Sequence, residues 1–252
     1  MNSQQWLSYY QNNRISRPEP AWSTPSPLGR ELQCLLGHSL SHFQLGETGG
    51  GTFLINQVRK QIPDDVCYHQ ALQLFVNEEG EHARLLERLV CRFGGKTIRK
   101  HWTHTLFRLV RHAFGFKFEI QLLVIAELVG TAYYRLLQAR TRDPVLDQTC
   151  NLILRDERNH VDFHADWFGE FQAELLPLER AIWNGQFQLL FAAAANVAWI
   201  DHSKCLIATG SSRREFFREA RGECIRFLQR LGDNARRHEV IETSNLVRRL
   251  QP

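Results

Sequence analysis

The amino-acid sequence predicts an all-α protein: a four-helix bundle with a long crossover between its second and third helices, and additional C-terminal helices. Apolar residues recur at helical spacing over long stretches, and few strand-like alternations are present. The four central helices also fall into two pairs, each joined by a short junction, with a long connector between the pairs. Short junctions require antiparallel neighbours, and the long connector permits a crossover.

This pattern divides the chain into three segments. Residues 1–28, which contain four prolines and several serines, predict an irregular N-terminal arm. Residues 29–175 predict the bundle, and residues 176–252 predict C-terminal helices that pack on it. The predicted bundle helices span about residues 30–60, 65–93, 116–141 and 144–173, and the C-terminal helices span about residues 178–209 and 213–231.

Helix caps and breakers support the two short junctions. Pro63 stops the first helix, and Asp64 or Asp65 can cap the second. At the other junction, Asp143 supplies a capping carboxylate and Pro144 occupies the first helical position, where its missing N–H does no harm. Both helix pairs are therefore predicted to turn sharply.

Composition and cysteine usage favour a cytoplasmic location. Of the 252 residues 43% are hydrophobic, and the six cysteines include no C-x-x-C pair, so we expect reduced, buried thiols rather than a disulfide or zinc framework. The polar N-terminus lacks the apolar region of a signal peptide. The apolar stretch 187–200, about 14 residues long, is too short to span a bilayer.

The net charge of +4 is unevenly distributed. Residues 88–117 contain eight lysines and arginines and no acidic residue. Such a segment could bind RNA or an anionic membrane surface. A solvated connector would have the same composition and is the plainer interpretation.

Two Glu-x-x-His motifs are the most informative feature of the sequence. Each motif follows a helix junction by about 14–15 residues, and a single glutamate precedes each junction by about 15 residues. At about 1.5 Å per helical residue, both members of a pair lie about 20–23 Å from their turn and so at one height. The six side chains are Glu47, Glu79, His82, Glu127, Glu157 and His160.

Each of these glutamates interrupts an apolar helix face, so all four are expected to point into the bundle. A buried carboxylate costs several kcal/mol unless it is paired or bound to a metal. Four carboxylates and two imidazoles at one level therefore predict a site for two metal ions.

Further residues accompany the motifs. We expect Asp156 to accept a hydrogen bond from His82, and Glu78 from His160, although each could instead be a surface acid. Gly50 and Gly130 follow Glu47 and Glu127 by three residues. Because glycine destabilises a helix interior by about 1 kcal/mol, these two predict a pocket for dioxygen or substrate, with close helix contact as the alternative.

These motifs resemble those of the ferritin-like di-iron carboxylate superfamily, which includes the ribonucleotide reductase small subunit, rubrerythrin, bacterioferritin and aldehyde-deformylating oxygenase. The resemblance covers about residues 30–173 and is strongest in the segment DPVLDQTCNLILRDERNHVDFHADWF. It implies a ferritin-like four-helix bundle, the six ligands given above, and bridging roles for Glu79 and Glu157. It also implies two iron ions, with manganese or a mixed Mn/Fe pair as alternatives.

Several features have no counterpart in that superfamily or stay open. No rubredoxin-like cysteine segment is present. His164 could be a seventh ligand, a proton carrier or a core residue, and Tyr134 could be a redox tyrosine or aromatic core. His38 and His42 fall on another side of their helix from Glu47. The pair Asp201-His202 is interpreted as a structural contact to the bundle.

The resemblance implies a non-haem di-iron oxidase or oxygenase that uses O2 and an electron donor to oxidise a small organic molecule. Such a protein could also form a homodimer. Two alternatives remain: handling of peroxide or iron itself, as in a peroxidase, catalase or ferroxidase, and a basic RNA-binding or membrane-binding protein in which the metals are structural. A tRNA hydroxylase would combine the first and last readings.

Overall fold

The computed structural model describes residues 1–48, 51–111 and 115–250, and for residues 108, 111 and 241–250 it describes the backbone alone. Within those ranges the chain is all-helical, as predicted, and contains no strand. The helices are α1 (Ser3–Ile15), α2 (Arg30–Glu47), α3 (Gly51–Gln61), α4 (Val66–Arg92), α5 (Trp102–Arg111), α6 (Phe116–Arg140), α7 (Pro144–Ala173), α8 (Pro177–Ala208) and α9 (Arg213–Leu250).

The two predicted helix pairs form by packing of α2 on α4 and of α6 on α7. Only three residues separate α6 from α7, so the chain reverses there. The side chain of Asp143 accepts hydrogen bonds from the backbone N–H groups of Val145 and Leu146, at 3.0 and 2.9 Å, and Pro144 begins the helix. Asp65 caps α4 in the same way, through the N–H of Tyr68 at 2.8 Å. Of the two candidate caps, Asp65 is therefore the one used.

The prediction of an irregular arm over residues 1–28 is wrong for its first half, which forms α1. Asn2 caps this helix, and the side chains of Asn2 and Gln5 bond each other's backbone N–H groups. The prolines of the arm all come after α1, at position 18 or later, so none of them interrupts the helix. Trp6 and Tyr10 are buried, and α1 packs on α4.

The prediction of a single helix over residues 30–60 is also wrong, because α2 ends at Glu47 and α3 begins at Gly51. Glycine propagates a helix poorly, and Gly46 and Gly51 flank this break. Gly51 has a packing role as well. A Cβ at this position would lie 2.1 Å from Cγ1 of Val76, so only glycine allows α3 to approach α4 this closely.

The centre of the core is α6, which packs against α7, α8 and α9. By length and composition α6 could cross a membrane, and 83% of its most apolar window is buried inside the protein. Its apolar surface is thus taken up by neighbouring helices. This helix, rather than the stretch 187–200, is the most apolar segment of membrane-spanning length in the described chain.

Helices α7 and α9 also approach each other closely, at Gly169. A Cβ on Gly169 would lie 2.5 Å from Cβ of Asn234 and 3.3 Å from its carbonyl carbon. Asn234 in turn donates a hydrogen bond to Asp166, one turn earlier on α7, at 2.8 Å. Small size at position 169 therefore sets the distance between the two helices.

Gly169→Ala is expected to lower the free energy of unfolding by about 1–3 kcal/mol, because α9 must shift to accommodate the methyl group. Gly185→Ala is the matched control. Gly185 lies in α8 with nothing within 4 Å of the added carbon, so this substitution should stabilise the protein by about 0.5–1 kcal/mol through helix propensity. Urea unfolding of both variants in the presence of a chelator tests this, and equal effects of the same sign would contradict the assigned contact.

Candidate metal centre

The two Glu-x-x-His motifs meet between α4 and α7. Ligand atoms of Glu79, His82, Glu157 and His160 all lie within 4.8 Å of one another, and this group could hold a metal ion. Both histidines are fully buried and Glu157 is 3% exposed, whereas the side chain of Glu79 is 22% exposed. Buried atoms with no aligned hydrogen bond in the described structure include Oε1 of Glu79, Oε2 of Glu157 and Nδ1 of both histidines.

The arrangement has an approximate twofold symmetry. Oε1 of Glu157 lies 3.5 Å from Nδ1 of His82, and its Oε2 lies 3.7 Å from Nδ1 of His160. Oε1 of Glu79 lies 3.7 Å from Nδ1 of His82 and 3.0 Å from Nδ1 of His160. Each carboxylate thus faces both histidines, and each histidine presents Nδ1 to both carboxylates.

The two single glutamates lie beside this group but in different settings. Glu47, at the end of α2, lies next to Glu79. Glu127, in the middle of α6, is buried with Oε1 3.4 Å from Nε2 of His164. His164 is therefore the neighbour of a predicted ligand, and the two halves of the site differ at this position.

The outer nitrogens of the histidines bond the two acids expected from the sequence. Nε2 of His82 lies 3.2 Å from Asp156, and Nε2 of His160 lies 3.0 Å from Glu78. Each acid belongs to the opposite helix of the pair, so the two hydrogen bonds cross between α4 and α7. A carboxylate that accepts a hydrogen bond from Nε2–H fixes the histidine tautomer and leaves Nδ1 available as a metal ligand.

A further layer, which the sequence did not indicate, comes from the N-terminal segment. The side-chain amide of Asn13 donates to both Glu78 and Asp156, at 2.7 and 3.0 Å. Arg17 donates to Asp156 at 2.6 Å and lies 3.6 Å from Glu78. A cleft of about 480 Å³ reaches this layer from the surface between α1 and α4. No local motif marks Asn13 or Arg17, because their role depends on the packing of α1.

Burial and mutual repulsion govern the charge of the site. Burial raises the pKa of Glu47 well above its usual range, and the nearby Glu79 and Glu157 raise it further. Burial also raises the pKa of Glu157, to about 7. Burial would lower the pKa of His82, but the hydrogen bond to Asp156 and the charges of Glu79 and Glu157 outweigh it and raise that pKa. The pKa of His160 is raised by similar contacts. The site thus retains protons that a metal would displace.

Aromatic rings border the site on the side of α6. The hydroxyl of Tyr134 is buried and has no hydrogen-bond partner in the described structure, and burial raises its pKa well above the usual range. At Gly130, a Cβ would lie 3.7 Å from the rings of Phe43 and Tyr134, which is ordinary van der Waals contact. Gly130 therefore adjoins an aromatic wall. Gly50, the other glycine of the predicted pocket, lies outside the described residues.

A second group of histidines lies away from the first. His38 and His42 indeed face another side of α2, where ligand atoms of His42, His101 and Asp201 lie within 4.8 Å of one another. His202 is buried against Ser39, with Nδ1 2.8 Å from its hydroxyl. This group was not predicted from the sequence, although His38 and His42 are four residues apart and therefore share a helix face.

The basic segment 88–117 is partly used inside the molecule. Arg88 lies over the ring of Trp22 at 4.1 Å, and Arg92 donates to the backbone carbonyls of Trp22 and Thr24, at 3.1 and 2.6 Å. Lys117 lies 3.6 Å from the centre of the Phe171 ring. These contacts help attach the N-terminal arm and α6, so the segment is not solely a solvated charge cluster.

Comparisons with known protein families, with curated proteins and with solved structures gave no match to this chain.

Asp156→Asn should weaken metal binding by about 10–100-fold, because an amide supports the histidine ligand less well than a carboxylate. Asp147→Asn on the same helix is the control, since Asp147 contacts Asn151 at the surface and should not affect binding. Competition with a chromophoric chelator measures both affinities. Unchanged affinity of Asp156→Asn would show that His82 does not depend on this hydrogen bond.

Metal affinity should rise with pH between about 6 and 8. The pKa of Glu157 is about 7 and those of His82 and His160 are raised, so these groups hold protons at low pH that a metal must displace. Affinity should increase by about tenfold per pH unit for each proton released. Titration calorimetry in buffers of different ionisation enthalpy measures the number of protons, and zero release would contradict this charge assignment.

Proposed function

We propose that this protein is a non-haem di-iron oxidase or oxygenase with a ferritin-like bundle, which uses O2 to oxidise a small organic molecule. The observation that carries the proposal is the placement of Glu157, whose two oxygens face two different histidines. A carboxylate in that position suits a bridge between two metal ions. Manganese or a mixed Mn/Fe pair would fit the same donor set, because ligand type alone does not separate them.

The donor set fits two metal ions. Glu79 and Glu157 would be shared by the two ions, and the other ligands would be His82, His160, Glu47 and Glu127, as the resemblance of the motifs implies. Four buried ligand atoms, one from each motif residue, have no aligned hydrogen bond in the described structure. Buried polar atoms are normally satisfied, so a bound cation would account for all four at once.

The chain contributes orientation, proton control and shielding from water. Asp156 and Glu78 hold the histidine rings through Nε2, and Asn13 and Arg17 hold those acids in turn. His164 positions Glu127 through their contact. These groups restrict ligand movement without themselves needing to touch a substrate.

Tyr134 is the residue best placed to act on a reacting molecule. Its buried hydroxyl stays protonated at neutral pH, and the charges that influence it include those of Glu47 and Glu157. It could donate a proton or a hydrogen atom toward the metal centre. Bound iron ions would supply electrons for the reduction of O2, and an external donor would restore them.

Anaerobic loading with Fe(II) followed by exposure to O2 tests the proposal. Wild-type protein should hold two more irons per chain than Glu157→Ala, because Glu157 faces both histidines. Wild-type protein should also show a transient visible absorption and rapid O2 uptake. Glu170→Ala, an exposed glutamate on the same helix, should behave like the wild type.

Equal iron content in wild-type and Glu157→Ala protein would overturn the proposed site. If both irons bind and each is oxidised only once, without renewed O2 uptake when a reductant is added, the protein would instead be a ferroxidase. Catalytic loss of peroxide without O2 uptake would indicate the peroxidase or catalase reading. Retention of RNA or anionic vesicles by metal-free protein would favour the binding-protein reading.

A further inference from the structure

A second set of metal-binding side chains joins three helices on the other side of α2. His42 belongs to α2, His101 directly precedes α5, and Asp201 belongs to α8. One ligand atom from each residue lies within 4.8 Å of the other two. These residues are far apart in sequence, so the fold alone brings them together. None of them contacts the four motif residues of the first site in the described structure.

The spacing of these donors suits a small divalent cation. Nδ1 of His101 lies 3.6 Å from Oδ2 of Asp201. In a tetrahedral zinc site with bonds of about 2.0–2.1 Å, neighbouring ligand atoms are about 3.3 Å apart. The ring of His42 stacks on that of His101, with centroids 4.0 Å apart. For one cation to bind both imidazoles, the two rings must turn out of this stack.

One donor lacks a hydrogen-bond partner, and a second is a largely buried carboxylate with one ion-pair neighbour. Nδ1 of His42 is buried and has no hydrogen-bond partner in the described part of the chain. The side chain of Asp201 is only 9% exposed, and among the described residues its one ion-pair neighbour is His101. A buried imidazole nitrogen and a buried carboxylate both cost free energy when they are unsatisfied. A bound cation would satisfy both.

We propose that His42, His101 and Asp201 bind one divalent transition-metal ion of the zinc type, separate from the first metal centre. Two imidazoles and one carboxylate form a borderline donor set that suits Zn²⁺ better than Ca²⁺ or Mg²⁺. His38, one turn before His42 with its ring centroid 4.8 Å away, is the nearest further donor. The ion would fasten α5 and α8 to α2. It would thus hold the middle of the basic segment 88–117 in place.

Zinc analysis of the full-length protein tests this site independently of the first one. Apo protein is prepared with a chelator, loaded with Zn²⁺, desalted and analysed for bound metal. The quantity compared is the difference between wild type and Asp201→Asn or His42→Gln. Each variant should bind one zinc fewer per chain, whatever the first site holds. Loading with Co²⁺ should give visible ligand-field bands whose intensity falls in both variants.

His69→Ala is the control, because His69 bonds the carbonyl of Ile62 and belongs to neither group. It should retain the wild-type zinc content. Zn²⁺ should raise the melting temperature of Glu157→Ala protein, and that increase should disappear when Asp201→Asn is added. Equal zinc content in wild type and both variants would overturn the proposal. Loss of zinc in His69→Ala as well would also overturn it, since the effect would then not be specific to this cluster.

Discussion

The structure depends on the burial of several carboxylates at one level of a helical core. A buried carboxylate is unfavourable unless its charge is shared with a proton, an imidazole or a metal. Here the pKa of Glu47 is raised by burial and by the neighbouring Glu79, and Glu127 lies beside His164. Glu157 faces two histidines. In the metal-free protein, protons and imidazoles therefore offset the negative charge of these carboxylates. Bound cations would offset it more fully.

The outer parts of the molecule reinforce this centre. Asn13 donates hydrogen bonds to both of the buried acids, Asp156 and Glu78, and Arg17 adds a charged hydrogen bond to Asp156. Asn13 and Arg17 both come from the N-terminal segment, whose helix α1 is held on α4 by buried aromatic rings. The N-terminal segment is therefore part of the metal centre rather than an appendage. Its loss would leave two buried acids without their polar partners.

Features that depend on residues close together in the sequence could be predicted, whereas features that depend on helix packing could not. Caps such as Asp143 and the helix ends near them depend on neighbouring residues, so they could be predicted. The position of Glu79 and Glu157 at one height followed from helix geometry, because each lies a fixed number of residues from a short turn. The end of α2 at Glu47 was not predicted, because the apolar spacing was interpreted as one helix over residues 30–60. The roles of Asn13 and Arg17, and the contact of Asp201 with His101, were not predicted, because only the packing of α1 and α8 brings these residues to their partners.

The two halves of the centre are also less alike than their motifs. The repeated Glu-x-x-His pattern produces matching distances around the histidines, but Glu127 lies against His164, whereas the nearest carboxylate neighbour of Glu47 is Glu79. Such a difference would make two bound metals inequivalent. The most direct measurement is anomalous diffraction from crystals of metal-loaded protein. We expect two anomalous-difference peaks between α4 and α7, about 3.5–4 Å apart, with Glu157 between them. A single peak there, or none, would contradict the proposed two-metal site.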